Sequence, residues 1–135
     1  MSTPAPAHSS DPAPADVAGL VLTAISAAPH ALDMHSWYST ADDQPLTPEK
    51  EPGCDTTLCV AGWTAHLTGW TLINGAWARR DTSTRLIDDV ARHALGLTGR
   101  QAGHLFHTDR QIALLMLRQI AAGQAADYAT ARLQA

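Results

Sequence analysis

Cys54-Asp55-Thr56-Thr57-Leu58-Cys59-Val60-Ala61-Gly62-Trp63-Thr64-Ala65-His66-Leu67 is the stretch on which the reading of this chain turns. At 3.6 residues per turn, Cys59, Trp63, His66 and Trp70 fall at i, i+4, i+7 and i+11, close to one stripe of a helix. Leu58, Ala61, Gly62 and Ala65 form a second stripe, small enough to let another backbone approach closely. The spacing predicts a helix over 57–67, capped by Thr56 or Thr57 and ended by Gly69. Its Cys/Trp/His edge is expected to turn towards the protein's own interior.

Beyond that helix, Asn74-Gly75 sits between two short apolar, β-prone runs in Trp70–Ala78. Asn-Gly favours the positive φ angles of a tight turn, so a two-residue β-hairpin near residues 70–79 is expected, leaning on the helices. Leu86, Ile87, Val90, Ala91, Ala94 and Leu95 then make an apolar stripe, predicting a helix from Thr84 to Leu95 with Gly96 as its stop. Thr98-x-x-Gln101 and Thr108-x-x-Gln111 both have capping-box form. The first opens a short helix to about His107, and the second a strongly apolar helix broken at Gly123. A last helix carries Ala125, Tyr128, Ala129 and Leu133.

Upstream, Val17, Leu20, Val21, Ala24, Ile25 and Ala28 predict a helix capped by Asp16 and stopped by Pro29. Residues 1–15, with Pro4, Pro6, Pro12 and Pro14 among Ala and Ser, read as a disordered tail. Residues 29–53 read as irregular structure, with Leu32, Met34 and Trp37 pinning the chain to the core and an acidic loop near 38–53. The expected fold is mainly α: five or six short helices around one core in a single domain over 16–135, with a small inserted hairpin.

Composition narrows the function classes. The chain has 135 residues, 45% of them apolar, enough for one hydrophobic core. No apolar stretch has the length of a membrane span, and Met1–Ala15 lacks the basic and apolar regions of a signal peptide, so the expected location is cytoplasmic. The net charge is −4, and the eight arginines of residues 54–135 form no dense basic run. A strong nucleic-acid binder would be expected to show one. Phosphate loops, nucleophile elbows and His-Glu-x-x-His metal motifs are missing.

The Cys54–Trp63 segment resembles one found in small uncharacterised bacterial and bacteriophage proteins, which carry Cys-Gly-Thr-x-x-Cys-x-Ala-Gly-Trp/His. In those proteins it follows an aromatic-Asp-Met-x-x-Trp-like segment and precedes Leu-Gly-Leu and Leu-Phe. This chain has Leu32-Asp33-Met34 with Trp37, then Leu95-Gly96-Leu97 and Leu105-Phe106. Asp55 stands where the group has Gly, and Leu32 where it has an aromatic. The group has no established activity, so the resemblance implies a shared fold.

Four sets of residues are candidates for a site. Cys59 near a helix N-terminus, with Cys54 upstream, has the placement of a thiol whose pKa is lowered. Cys54, Cys59 and His66 with His35 or His30 supply the donor types of a zinc site, although the spacing is not that of a zinc module. Residues 86–106 have helix-turn-helix form, with Arg100, Gln101 and His104 turned outward. Trp70 and Trp77, beside the acidic Asp42 and Asp43, are candidates for binding a partner, Trp being enriched at interface hot spots. The favoured reading is a non-catalytic accessory or regulatory protein that binds another protein and uses no cofactor. A thiol- or metal-dependent enzyme and a nucleic-acid binder are the alternatives.

Overall fold

The computed structural model describes residues 12–53, 55–73 and 75–135. Helix α1 (Pro14–Ala27) begins two residues before the expected Asp16 cap. Proline fits the first helical position because its fixed φ is already helical and its missing N–H would have no partner there. Asp16 lies instead in the first turn, where its charge meets the positive end of the helix dipole. The helix therefore starts inside the stretch read as a disordered tail. Residues 1–11 of that stretch lie outside the described residues.

After a 3₁₀ turn (Pro29–Ala31), the segment read as irregular contains a strand. β1 (Tyr38–Thr40) pairs antiparallel with β2 (Thr56–Leu58), Tyr38 opposite Leu58 and Thr40 opposite Thr56. The chain before β1 adds two bonds of 2.9 Å, Asp33 N–H to the Leu58 carbonyl and Cys59 N–H to the Ser36 carbonyl. Pairing on this scale holds residues 56–58 extended. Helix α2 (Val60–Leu67) consequently starts three residues later than expected, with Cys59 at the N-cap position in place of Thr56 or Thr57. Gly69, with φ of +94°, ends it as expected.

The hairpin is part of a larger sheet. β3 (Thr71–Ile73), β4 (Trp77–Arg80) and β5 (Ser83–Leu86) form a three-stranded antiparallel sheet in that order. Ile73 faces Trp77, so the first connection is the three residues 74–76 and not a two-residue turn. Asn74 itself lies outside the described residues. The Ala76 carbonyl accepts a hydrogen bond from Ile87 N–H at 2.8 Å, which draws Ala76 towards the end of β5. Thr84, Arg85 and Leu86, read as the start of a helix, instead pair with Arg79, Ala78 and Trp77. Leu46, from the acidic loop, exchanges backbone hydrogen bonds of 3.0 and 2.9 Å with Leu72 and ties that loop to β3.

Four helices complete the fold. α3 (Ile87–Ala94) carries Asp88 and Asp89 in its first turn. α4 (Gly99–Phe106) has the capping box read from the sequence, with Thr98 and Gln101 satisfying each other's backbone N–H groups. α5 (Arg110–Ala121) is capped by Asp109, whose carboxylate accepts from Ile112 N–H at 2.9 Å, and not by Thr108. α6 (Tyr128–Gln134) starts after Asp127, leaving Ala125 outside it. α1 packs along α5 and α2 along α3, and one apolar core joins the six helices with β1 to β4. Helices predominate, as expected, but two small antiparallel sheets replace the single inserted hairpin. No helix among the described residues is long and apolar enough to cross a membrane.

Candidate functional site

α2 turns its cysteine, tryptophan and histidine inward. Cys59 is 1% exposed, and Trp63 and His66 are each 4% exposed. Close approach on the other stripe is also realised. A Cβ added at Gly62 would overlap the Trp37 carbonyl oxygen, so the backbone of residue 37 lies directly against the helix.

Burial reverses the expectation for the Cys59 thiol. Loss of hydration pushes its pKa up to about 11, and the amides of Gly62 and Ala61 at the helix N-terminus offset only part of that. The dipole favours a thiolate, but taking a charge out of water costs more. The group is therefore protonated at neutral pH. Cys54 lies outside the described residues. His35 is exposed and its ring lies 3.3 Å from Asp33. Among the described residues, no three His, Cys, Asp or Glu side chains come together as a metal-binding group.

His66 is packed edge-on to Trp63, with ring centroids 6.1 Å apart. Its Nδ1 and the Trp63 Nε1 are buried without a hydrogen-bond partner among the described residues. Burial holds the imidazole below its ordinary pKa, and Glu49 and Glu51 pull it partly back. Trp37 covers the neighbouring region, meeting Phe106 and His107 edge-on at 6.2 and 5.4 Å.

The residues assigned to a helix-turn-helix do not form a free trio. Arg100 is exposed. Gln101, however, has both ends of its amide committed: its oxygen accepts from Thr98 N–H at 2.8 Å, and its nitrogen donates to the Ala126 carbonyl at 3.2 Å. The His104 ring stacks on Tyr128 at 4.4 Å. Asp88 and Asp89 stand on the preceding helix, adding negative charge where phosphates would have to approach.

The partner-binding candidates separate into two kinds. Trp70 is 6% exposed, with the Arg80 guanidinium 4.5 Å above its ring, so it belongs to the core and not to a binding surface. Asp42 and Asp43 are exposed, but Asp42 serves its own loop. Its carboxylate accepts from Gln44 N–H at 3.1 Å and from the Thr40 hydroxyl at 3.2 Å, and the Gln44 bond chiefly holds it below the usual carboxylate range. The Tyr38 hydroxyl donates to the Gln44 carbonyl, closing the turn.

Trp77 is 45% exposed and has neighbours the sequence did not give it. Ile73 lies opposite it on β3 and Leu86, 43% exposed, opposite it on β5. Side chains alternate faces along a strand, so Ile73, Trp77 and Leu86 form one row on the outer face of the sheet. Thr71, Arg79 and Thr84 form the next row. Leu86 was missed because it fits the helical stripe that follows it; the local signal was the polar run Thr82-Ser83-Thr84 with its two β-branched threonines. Compared with protein-family models, with curated proteins and with solved structures, the chain matches none.

Proposed function

We propose that this chain is a non-catalytic accessory or regulatory protein that binds another protein through the outer face of its three-stranded sheet. The supporting observation is the Ile73–Trp77–Leu86 row, in which Trp77 and Leu86 are exposed and Ile73 is half-buried. An aromatic and two aliphatic side chains aligned across three strands are costly to leave in water, and they make a rigid apolar centre of the kind that anchors an interface. The opposite face of the same strands holds Leu72 and Ala78, both buried, so the core does not require Trp77.

The protonated, buried Cys59 speaks against the thiol-enzyme alternative, and the hydrogen bonds at both ends of the Gln101 amide speak against the nucleic-acid alternative. Capture from a lysate of the source organism, using immobilised chain, separates the readings. Trp77→Ala should abolish recovery of a specific protein, whereas Cys59→Ser should retain it. Recovery that survives Trp77→Ala, or a small-molecule turnover lost on Cys59→Ser, would overturn the proposal.

A further inference from the structure

β5 is the outer strand of its sheet. β4 pairs with it on one side, and on the other side no strand among the described residues pairs with it; at its end Leu86 is the N-cap of α3. Three consecutive residues of β5, Thr84, Arg85 and Leu86, line a cleft of about 560 Å³ together with Gly99 and Gly103 of α4. Successive side chains of a strand point to opposite faces, so a cleft reached by three in a row runs beside the strand, along its edge. A Cβ at Gly99 or Gly103 would stand in open space. The α4 side of the cleft is thus bare backbone at two places where a larger residue would suit the helix better.

We infer that this edge takes up an extended segment of the partner protein as a fourth strand, and that the segment carries an apolar side chain and an acidic one two residues apart. The inference rests on the protein-binding reading above and names the chemistry of the partner. Unpaired N–H and C=O groups on an edge strand are a template for another strand, and main-chain bonds supply affinity while alternate side chains supply specificity. A strand added beside β5 extends both rows of the outer face. One of its side chains lies next to Leu86 and continues the apolar row through Trp77 to Ile73. The side chain two residues away lies next to Thr84, in the row that contains Arg79. Arg79 is exposed and forms no ion pair among the described residues, so a carboxylate is its complement. Within the cleft, Arg85 and Arg92 lie 3.8 and 3.3 Å from the single carboxylate of Asp89, with Asp88 beside them. An uncharged peptide backbone passes such a balanced wall without repulsion.

Random dodecapeptides displayed on phage and panned against the full chain test this. Enriched sequences should place an apolar and an acidic residue two apart. A resynthesised binder should slow amide hydrogen exchange at Thr84 and Leu86, whose N–H groups face away from β4, and N-methylation of alternate amides should abolish binding in one phase and spare it in the other. Gly103→Leu, which fills the cleft from an exposed helical position, should weaken binding by about tenfold or more with the fold intact. Binders that leave Thr84 and Leu86 unprotected, or that tolerate N-methylation in both phases, overturn the added strand. If they still require Trp77, the sheet face remains a binding surface and only the strand is lost. A library that yields no binder also overturns the strand, and the capture experiment with Trp77→Ala then decides the broader reading independently.

Discussion

At Gly62 the α-carbon of α2 lies against the Trp37 carbonyl, and the Leu58 Cβ stands 3.1 Å from where a methyl group would sit. Neither neighbour can yield easily, one being backbone and the other the root of a buried side chain. Gly62→Ala should therefore destabilise the fold by about 1–3 kcal/mol, as overpacking does, and lower the urea midpoint without changing the m-value. A midpoint equal to the wild type's would mean that the Trp37 segment moves aside freely. His66 gives a pH dependence of definite sign. Its folded-state pKa is depressed by burial, so the unfolded chain takes up the proton first as the pH falls. The stability tied to the neutral ring is present above the ordinary histidine value of about 6.5 and is lost as the pH drops through the folded value. The thermal midpoint should therefore fall further between about pH 7 and about pH 5 in the wild type than in His66→Gln. Parallel curves would show that His66 does not titrate during unfolding. Both residues stood out in the sequence, Gly62 by its place on the small stripe and His66 by its place on the Cys/Trp edge. The missing partner of His66 did not, because it depends on what surrounds the ring.

The helix stops at Gly69 and Gly96 and the box at Thr98 were the most legible boundaries, whereas the starts of α1, α2 and α3 were misplaced. Thr98 and Gln101 are three residues apart and make their bonds to each other, so the motif is complete within one turn of sequence. Thr98→Ala should cost about 1 kcal/mol, read as a lower thermal midpoint with the rest of the fold unchanged. The second motif failed by one residue: Asp109 competes with Thr108 for the same role, and its carboxylate reaches Ile112 N–H. Gly103→Ala should act in the opposite direction. Its Cβ meets nothing, and replacing glycine inside a helix stabilises it by about 0.5–1 kcal/mol. A loss of stability on that change would show that the cleft beside α4 is filled. The strands were less legible because each has three or four residues, too few for a period of two to register. β1 and β2 are separated by a long acidic connection, and nothing local to Tyr38–Thr40 announces its pairing with Thr56–Leu58. That unseen pairing moved the start of α2.

On the scale of the whole molecule, the fold sorts four tryptophans that composition treats alike. Trp63 and Trp70 are buried, Trp37 is half-buried against Phe106 and His107, and Trp77 is exposed on the sheet. Trp70→Ala should cost about 3–5 kcal/mol, because the core loses a large side chain and Arg80 its ring. Trp77→Ala should stay within about 0.5 kcal/mol of wild type, so that its loss of binding is read free of unfolding. Chemical denaturation of the two variants side by side checks both figures. Similar losses would mean that Trp77 supports the core and that the outer row is structural.

The amino-acid order alone established a helix-dominated chain around one core, the apolar stripes, the box at Thr98 and the inward edge of α2. Each depends on residues within a turn or two of one another, where spacing is enough. Only the tertiary structure decided that Cys59 is a protonated core thiol, that the Gln101 amide is already hydrogen-bonded at both ends, and that Leu86 joins Trp77 and Ile73 beside an open strand edge. Those outcomes come from hydration lost on burial and from pairing between strands, both of which exist only once distant segments have met.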